Sequence, residues 1–277
     1  MKKFLVLFLA LSMAVTFTVA AQTGVTVGVE GGIGNVTEVN DAKMTPYVMP
    51  MFIFDRSFMN GALDLYAELD YTFGFEKEPN KDGDDVFPQS LYVDLLAGYN
   101  LGIGRASTLS FILENEFDEI IISPRSSDGN NITGIFTPAV KFTQGFGIGD
   151  VYARVGAPIT YIQDNKDADL GAGLDFTLGW NSRFGLWLEA TMHMLLAPSD
   201  DTGYTGLDAS AYFDTGLINI GADVTVPSEV SDLGLTVTPK VTVSLGSLSV
   251  YAKCEFAGLG SDSDMILSPA VGITFSF

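Results

Sequence analysis

The chain carries few side chains suited to catalysis. His193 is its only histidine and Cys254 its only cysteine. One of each cannot build the usual four-ligand zinc site or a disulfide framework. His193 is the one imidazole available as a general base, and Glu189 lies four residues earlier on the same polar face of the segment Leu186 to Leu196. A Ser/His/carboxylate triad also needs a serine held against the ring, and no motif around His193 supplies one. Glu114, Glu116 and Asp118 are hard oxygen donors of the kind Ca²⁺ takes. The stretch Asp82-Gly83-Asp84-Asp85 has part of a calcium loop without its full spacing. A wet acidic wall and a solvated loop explain these carboxylates more simply. No catalytic residue, metal or cofactor is expected, and the chain is not read as an enzyme.

What the sequence has in quantity is carboxylate. It holds 34 Asp and Glu against 14 Lys and Arg, for a formal net charge of -20. Nucleic acid is excluded as a partner, because binding it needs a basic footprint. Hydrophobic residues nevertheless make up 47% of the chain, too many for a disordered polyanion. The elements that hold the charges must therefore separate them from a large apolar surface.

The chain opens on an export signal. Lys2 and Lys3 are followed by an apolar run from Phe4 and then by Val19-Ala20-Ala21, the basic, apolar and small-residue order of a signal peptide. Cleavage is expected after Ala21, giving a signal over 1–21 and a mature domain over 22–277. Beyond it no apolar run reaches the ~20 residues of a membrane helix. Period-two alternation takes over instead. Leu235, Val237, Pro239, Val241, Val243 and Leu245 alternate with Thr236, Thr238, Lys240, Thr242 and Ser244, so one face of that strand is apolar and the other polar.

Fourteen such segments are expected, the first over 24–36 and the last over 266–277; twelve would remain if 24–36 and 207–226 were not strands. Short turns alternate with longer acidic connections. An even strand count with that alternation is the pattern of an antiparallel transmembrane β-barrel. A soluble sandwich also alternates, but its polar face meets water. Here the apolar faces are nearly free of charge, with Glu119 the one acid on them, as lipid demands. Glu119 falls where alternation breaks, a position read as a bulge or loop rim. Cys254 falls on an apolar face as a small hydrophobe.

The C-terminus reads Gly272-Ile273-Thr274-Phe275-Ser276-Phe277. This resembles the last strand of bacterial outer-membrane β-barrels, which ends on glycine, two residues, an aromatic, one residue and an aromatic. Ala270 departs from the polar residue usual two positions before the glycine. The resemblance implies that Gly272, Phe275 and Phe277 form the signal read by the barrel-assembly machinery, and that the protein lies in outer-membrane lipid. The first strand begins almost at the mature N-terminus, leaving no plug domain before it, unlike barrels of the long-chain fatty-acid transporter type.

Aromatics on the apolar face gather at strand ends, among them Phe54, Tyr99, Phe146, Trp180 and Phe213, as two interfacial girdles would require. Two short motifs recur. Thr45-Pro-Tyr-Val, Thr137-Pro-Ala-Val, Thr238-Pro-Lys-Val and Ser268-Pro-Ala-Val open four strands; Leu65-Tyr-Ala-Glu, Val151-Tyr-Ala-Arg and Val250-Tyr-Ala-Lys lie early in three others. The prolines forfeit ladder donors and are expected to make local bulges.

Eight strands leave a filled interior and sixteen an aqueous channel, so fourteen point to a channel. The expected function is a monomeric, porin-like diffusion channel for small hydrophilic solutes. Acids outnumber the bases Lys141, Arg154, Lys240 and Lys253 on the polar faces, which favours cations. Glu68, Glu114, Arg154, Glu189, Asp223 and Lys253 occupy similar places in six strands and are expected to line the pore as a mixed ring. The alternative is a structural or adhesive barrel whose acidic loops bind a partner without open transport.

Overall fold

The computed structural model describes residues 24–34, 36–37, 45–79, 85–123, 132–163, 168–197, 206–227, 234–261 and 265–277. The signal read over 1–21 lies outside them, as do Asp82 to Asp84 of the calcium-loop fragment. The wall strands are β1 (Val25–Gly34), β2 (Thr45–Phe58), β3 (Leu63–Gly74), β4 (Gln89–Gly102), β5 (Ser107–Ser123), β6 (Ile132–Phe146), β7 in two runs (Gly149–Gly156 and Ile159–Gln163), β8 (Ala168–Ser182), β9 (Leu186–Ala197), β10 (Gly206–Asp214), β11 (Ile218–Pro227), β12 (Leu235–Leu245), β13 (Leu248–Leu259) and β14 (Ile266–Ser276).

Each wall strand pairs with the next in an antiparallel meander, and β1 returns to β14 from Thr26↔Ser276 through Gly32↔Ala270. The result is a closed transmembrane barrel of fourteen strands. Closure removes every sheet edge, which a backbone surrounded by hydrocarbon requires. The twelve-strand alternative falls, because β1, β10 and β11 are each paired on both sides.

The burial pattern is the inverse of a water-soluble fold. Buried hydrophobic side chains among the described residues are few: Val25, Ala139, Tyr152, Tyr251 and Ala270. The most buried side chain is the acid Glu30, with Ser110, Thr137 and Thr177 buried beside other walls. Large apolar groups point outward instead, with Leu178 67% and Val271 62% exposed. Only an apolar solvent outside and a polar interior reconcile those two faces.

Tight turns close the short-turn end. Gly185 lies in the left-handed region at φ 93°, and a methyl there would stand 2.0 Å from the Asp214 carbonyl oxygen; only glycine fits that turn. The β2–β3 turn is a 3₁₀ turn at Met59–Gly61. β2 continues to Phe58, so Asp55 and Arg56 pair with Tyr66 and Leu65 inside the ladder. Asp150 belongs to β7 and stands opposite Gly145.

The ladder breaks register between Glu116 and Glu119, where the sequence loses alternation. The proline expectation is corrected at three of its four positions. Pairing continues through Pro46, Pro138 and Pro239 without a shift of register. At Pro269 the β13 side holds register, but on the β1 side Gly32 pairs with Ala270 while Val36 pairs with Leu267, one residue out of step, so a bulge falls there. Other shifts fall at Gln89/Ser90, Leu91/Val93, Glu116/Glu119, Ala172/Gly173 and Leu235/Val237. A proline loses one donor but keeps its acceptor. The carbonyls of Pro46 and Pro138 still take bonds from Phe75 and Ala157, which pins the register that an extra residue would have moved.

Candidate functional site on the inner wall

Strand alternation brings the charged residues to one enclosed face, and the pairing fixes which of them meet. Glu30 of β1 sits at the seam where the barrel closes and is 1% exposed. It accepts hydrogen bonds from Tyr47 of β2 at 2.8 Å and Tyr251 of β13 at 2.6 Å, and pairs with the Lys253 ammonium at 2.9 Å. Three donors on one carboxylate satisfy a charge that burial alone would make costly.

The residues expected as a ring share this face but are held by separate partners. Glu114 and Arg154 form an ion pair across β5 to β7. Lys253 pairs with Glu30. Glu189 accepts from Tyr152 at 2.5 Å. Asp223 accepts from Ser210 at 2.6 Å and also from Tyr212. Glu68 accepts from Tyr66 and stands directly opposite Asp94. Of the six, only Glu114 and Arg154 meet each other. The described pairs link strands close together along the wall, so they run around the barrel rather than across it.

Sequence reading missed the tyrosines as a class. Tyr47, Tyr66, Tyr92, Tyr152, Tyr212 and Tyr251 each donate to an inner-wall acid, Tyr92 to Glu116 at 3.1 Å. The recurring Tyr-Ala-Glu, Tyr-Ala-Arg and Tyr-Ala-Lys triplets were the available signal, since positions i and i+2 share a face. Each of three rings lies on a glycine of the paired strand. A methyl at Gly179 would come 2.1 Å from Tyr152, at Gly221 2.2 Å from Tyr212, and at Gly272 2.3 Å from Tyr251. Glycine thus makes room for the ring, and the ring covers the bare backbone.

The same unit occurs twice, six strands apart. Lys141 stands directly opposite Arg154, and Lys240 directly opposite Lys253. Like charges in that register repel. In each pair one base has an acid, while the other lies over a tyrosine: Lys141 Nζ is 3.9 Å from the Tyr152 centroid and Lys240 Nζ 4.8 Å from that of Tyr251. Ring faces attract cations, so each unit disperses two positive charges over one carboxylate and one phenol.

His193 lies between two acids, Nδ1 at 2.8 Å from Asp175 and Nε2 at 3.0 Å from Asp208. Both ring nitrogens are taken up by carboxylates, the opposite of the serine-facing arrangement a triad needs. Glu189, its sequence neighbour on the same face, is engaged with Tyr152 instead. Glu114 and Glu116 have their own partners, the side chain of Asp118 lies outside the described residues, and among the described residues no group of three His, Cys, Asp or Glu is arranged to hold a metal.

The C-terminal motif closes the seam. Gly272 stands opposite both Glu30 and Tyr251, Phe275 opposite Val27 and Leu248 on the outer face, and the Phe277 amide donates to the Val25 carbonyl at 2.9 Å.

No protein-family model matches the chain, and no curated protein matches it. Solved structures do match. The Pseudomonas putida toluene transporter TodX aligns over 95% of this chain and 91% of that one, with a TM-score of 0.50 at 9% identity. The Pseudomonas aeruginosa OccK9 structure aligns over 92% and 98%, with a TM-score of 0.46 at 10% identity, and the KdgM porin over 91% and 99%, with a TM-score of 0.41 at 10% identity. At such low identity the TodX likeness establishes the fold alone: a closed barrel of the kind that transporter builds.

Proposed function

We propose that this protein is a porin-like channel of the bacterial outer membrane that passes small hydrophilic solutes and prefers cations. The observation that carries the reading is the contrast between the two faces of the closed fourteen-strand wall. Its outside is apolar and exposed; its inside holds ionised and hydroxylated side chains anchored strand by strand. A barrel of this size exceeds the eight strands whose interior side chains fill. A charged lining hydrates a channel and disfavours apolar cargo, so the toluene named for TodX is not carried over to this chain.

Glu68, Glu114, Glu189 and Asp223 with Arg154 and Lys253 line the pore in this reading, and acids outnumber bases along it. Export through the 1–21 signal, insertion by the barrel-assembly machinery acting on Gly272, Phe275 and Phe277, and a monomeric state complete it. Purified protein in planar bilayers should show stepwise conductance in potassium chloride. Correctly folded barrels without steps above the bare-bilayer background would overturn the channel and leave a structural or adhesive barrel.

A further inference from the structure

We propose that the inner wall near the short turns holds a binding subsite for a short zwitterionic peptide, with its carboxylate on Lys141 and its ammonium toward Asp64. The proposal rests on the channel reading for access to the site, but its chemistry stands on local geometry. A cavity of about 670 Å³ is lined by Lys141 and Thr143 of β6, Ser110 of β5, and Asp64, Asn100 and Leu96 of β3 and β4. That is the size of a small-molecule pocket.

Its two ends carry opposite charge. Ser110 is the direct cross-strand neighbour of Lys141, and Thr143 is two positions along the same face. Arg154, on the other side of Lys141, is committed to Glu114. Among the described residues no carboxylate forms a direct ion pair with Lys141; its ammonium lies over the Tyr152 ring, and Glu189, held by the Tyr152 hydroxyl, is the acid that acts on it from beyond the ring. An ammonium has three donors, and the ring face occupies one direction. Donors remain for an incoming carboxylate, with the Thr143 hydroxyl beside them; the Ser110 hydroxyl donates to Asn100 Oδ1 at 2.6 Å and shapes the wall between the two ends. At the other end, Asp64 is fixed by Ser57 at 2.5 Å and Asn100 at 2.6 Å. A carboxylate has about four acceptor positions, so it can still take an ammonium.

The acidic wall selects the class of ligand. A net anion is repelled along the acid-rich lining, whereas a zwitterion enters without net charge. Span selects its size. β3 and β6 are three strand spacings apart, roughly 14 Å between backbones, and the lysine stem reaches into that gap. Two or three peptide residues at about 3.5 Å each then bridge the two charges.

The test is calorimetric titration of trialanine into the refolded full barrel in detergent. Wild-type protein should bind it, and N-acetyl-trialanine amide, with both charges removed, should bind about tenfold or more weakly, as loss of charge-assisted bonds implies. Lys141→Met and Lys141→Gln should each cause a loss of similar size, and Asp64→Asn a smaller one. Lys240→Met removes the same charge from the distant wall and should retain trialanine binding. Absence of wild-type binding, equal affinity for the blocked peptide, or an equal loss in Lys240→Met would overturn the subsite. Each variant is first checked for folding by its gel shift on heating, the Gln form serving if the Met form fails. Swelling of liposomes in neutral arabinose tests the channel separately: swelling without trialanine binding removes only the subsite, and binding without swelling removes only the channel.

Discussion

Glu30→Ala should weaken the barrel more than any other inner-wall acid replaced singly. Its carboxylate joins β13, β1 and β2 at the closing seam through Tyr251, Tyr47 and Lys253. Hydrogen bonds to an ionised group contribute about 1.5 kcal/mol or more each, so the two phenols account for about 3 kcal/mol. Lys253 is 33% exposed at its side chain, and water screening reduces its pair to roughly 0.5–1 kcal/mol. The expected loss is therefore about 4 kcal/mol. Glu30→Gln, which keeps the shape and one acceptor, should lose about half as much. Urea unfolding of the refolded barrel in lipid vesicles, followed by tryptophan fluorescence, measures both. A cycle with Tyr251→Phe should show coupling of about 1 kcal/mol, since paired contacts are not additive. A loss below about 1 kcal/mol for Glu30→Ala, with no coupling, would refute the view that this buried carboxylate ties the seam.

Other expectations follow from the wall. Gly272→Val should displace the Tyr251 ring and unpick the same seam, costing on the order of 2 kcal/mol or more as overpacking does, and the same unfolding titration will read it. A closed barrel should resist SDS at room temperature and change gel mobility on boiling; identical mobility in both states would contradict closure. Phe277→Asp should reduce outer-membrane insertion and leave protein in the periplasm, measured by cell fractionation; unaltered insertion would remove the assembly role of the C-terminus.

Much of the fold was legible because a barrel wall has a period of two and a solvent that forbids charge. Leu235 to Leu245 shows its outward and inward faces without any knowledge of a partner strand. Glu119 marked the break in β5 for the same reason. The bulges expected at Pro46, Pro138 and Pro239 were misjudged because sequence shows the missing donor but not the surviving acceptor: Pro138 keeps the Ala157 amide, and register holds. The inner wall was half legible. That Glu68, Glu114 and Arg154 share a face follows from counting residues, but partners depend on the stagger between strands, which alternation leaves open. Thus Lys253 could be assigned to the wall, while its pairing with Glu30, more than 200 positions earlier and reached only by closure, could not. The tyrosine-on-glycine contacts were hidden likewise, each half lying in a different strand.

The charge on the inner wall is tested most directly by the reversal potential of purified wild-type protein in a planar bilayer under a potassium chloride gradient. The wall's acids should enrich cations, and the effect should be strongest at low salt, where the screening length approaches 30 Å at 0.01 M. Wild-type protein should therefore show cation preference that declines as salt rises, and Glu68→Lys combined with Glu189→Lys should weaken or reverse it. A wild-type reversal potential of the sign set by anions would contradict the assignment of these side chains to the conducting face.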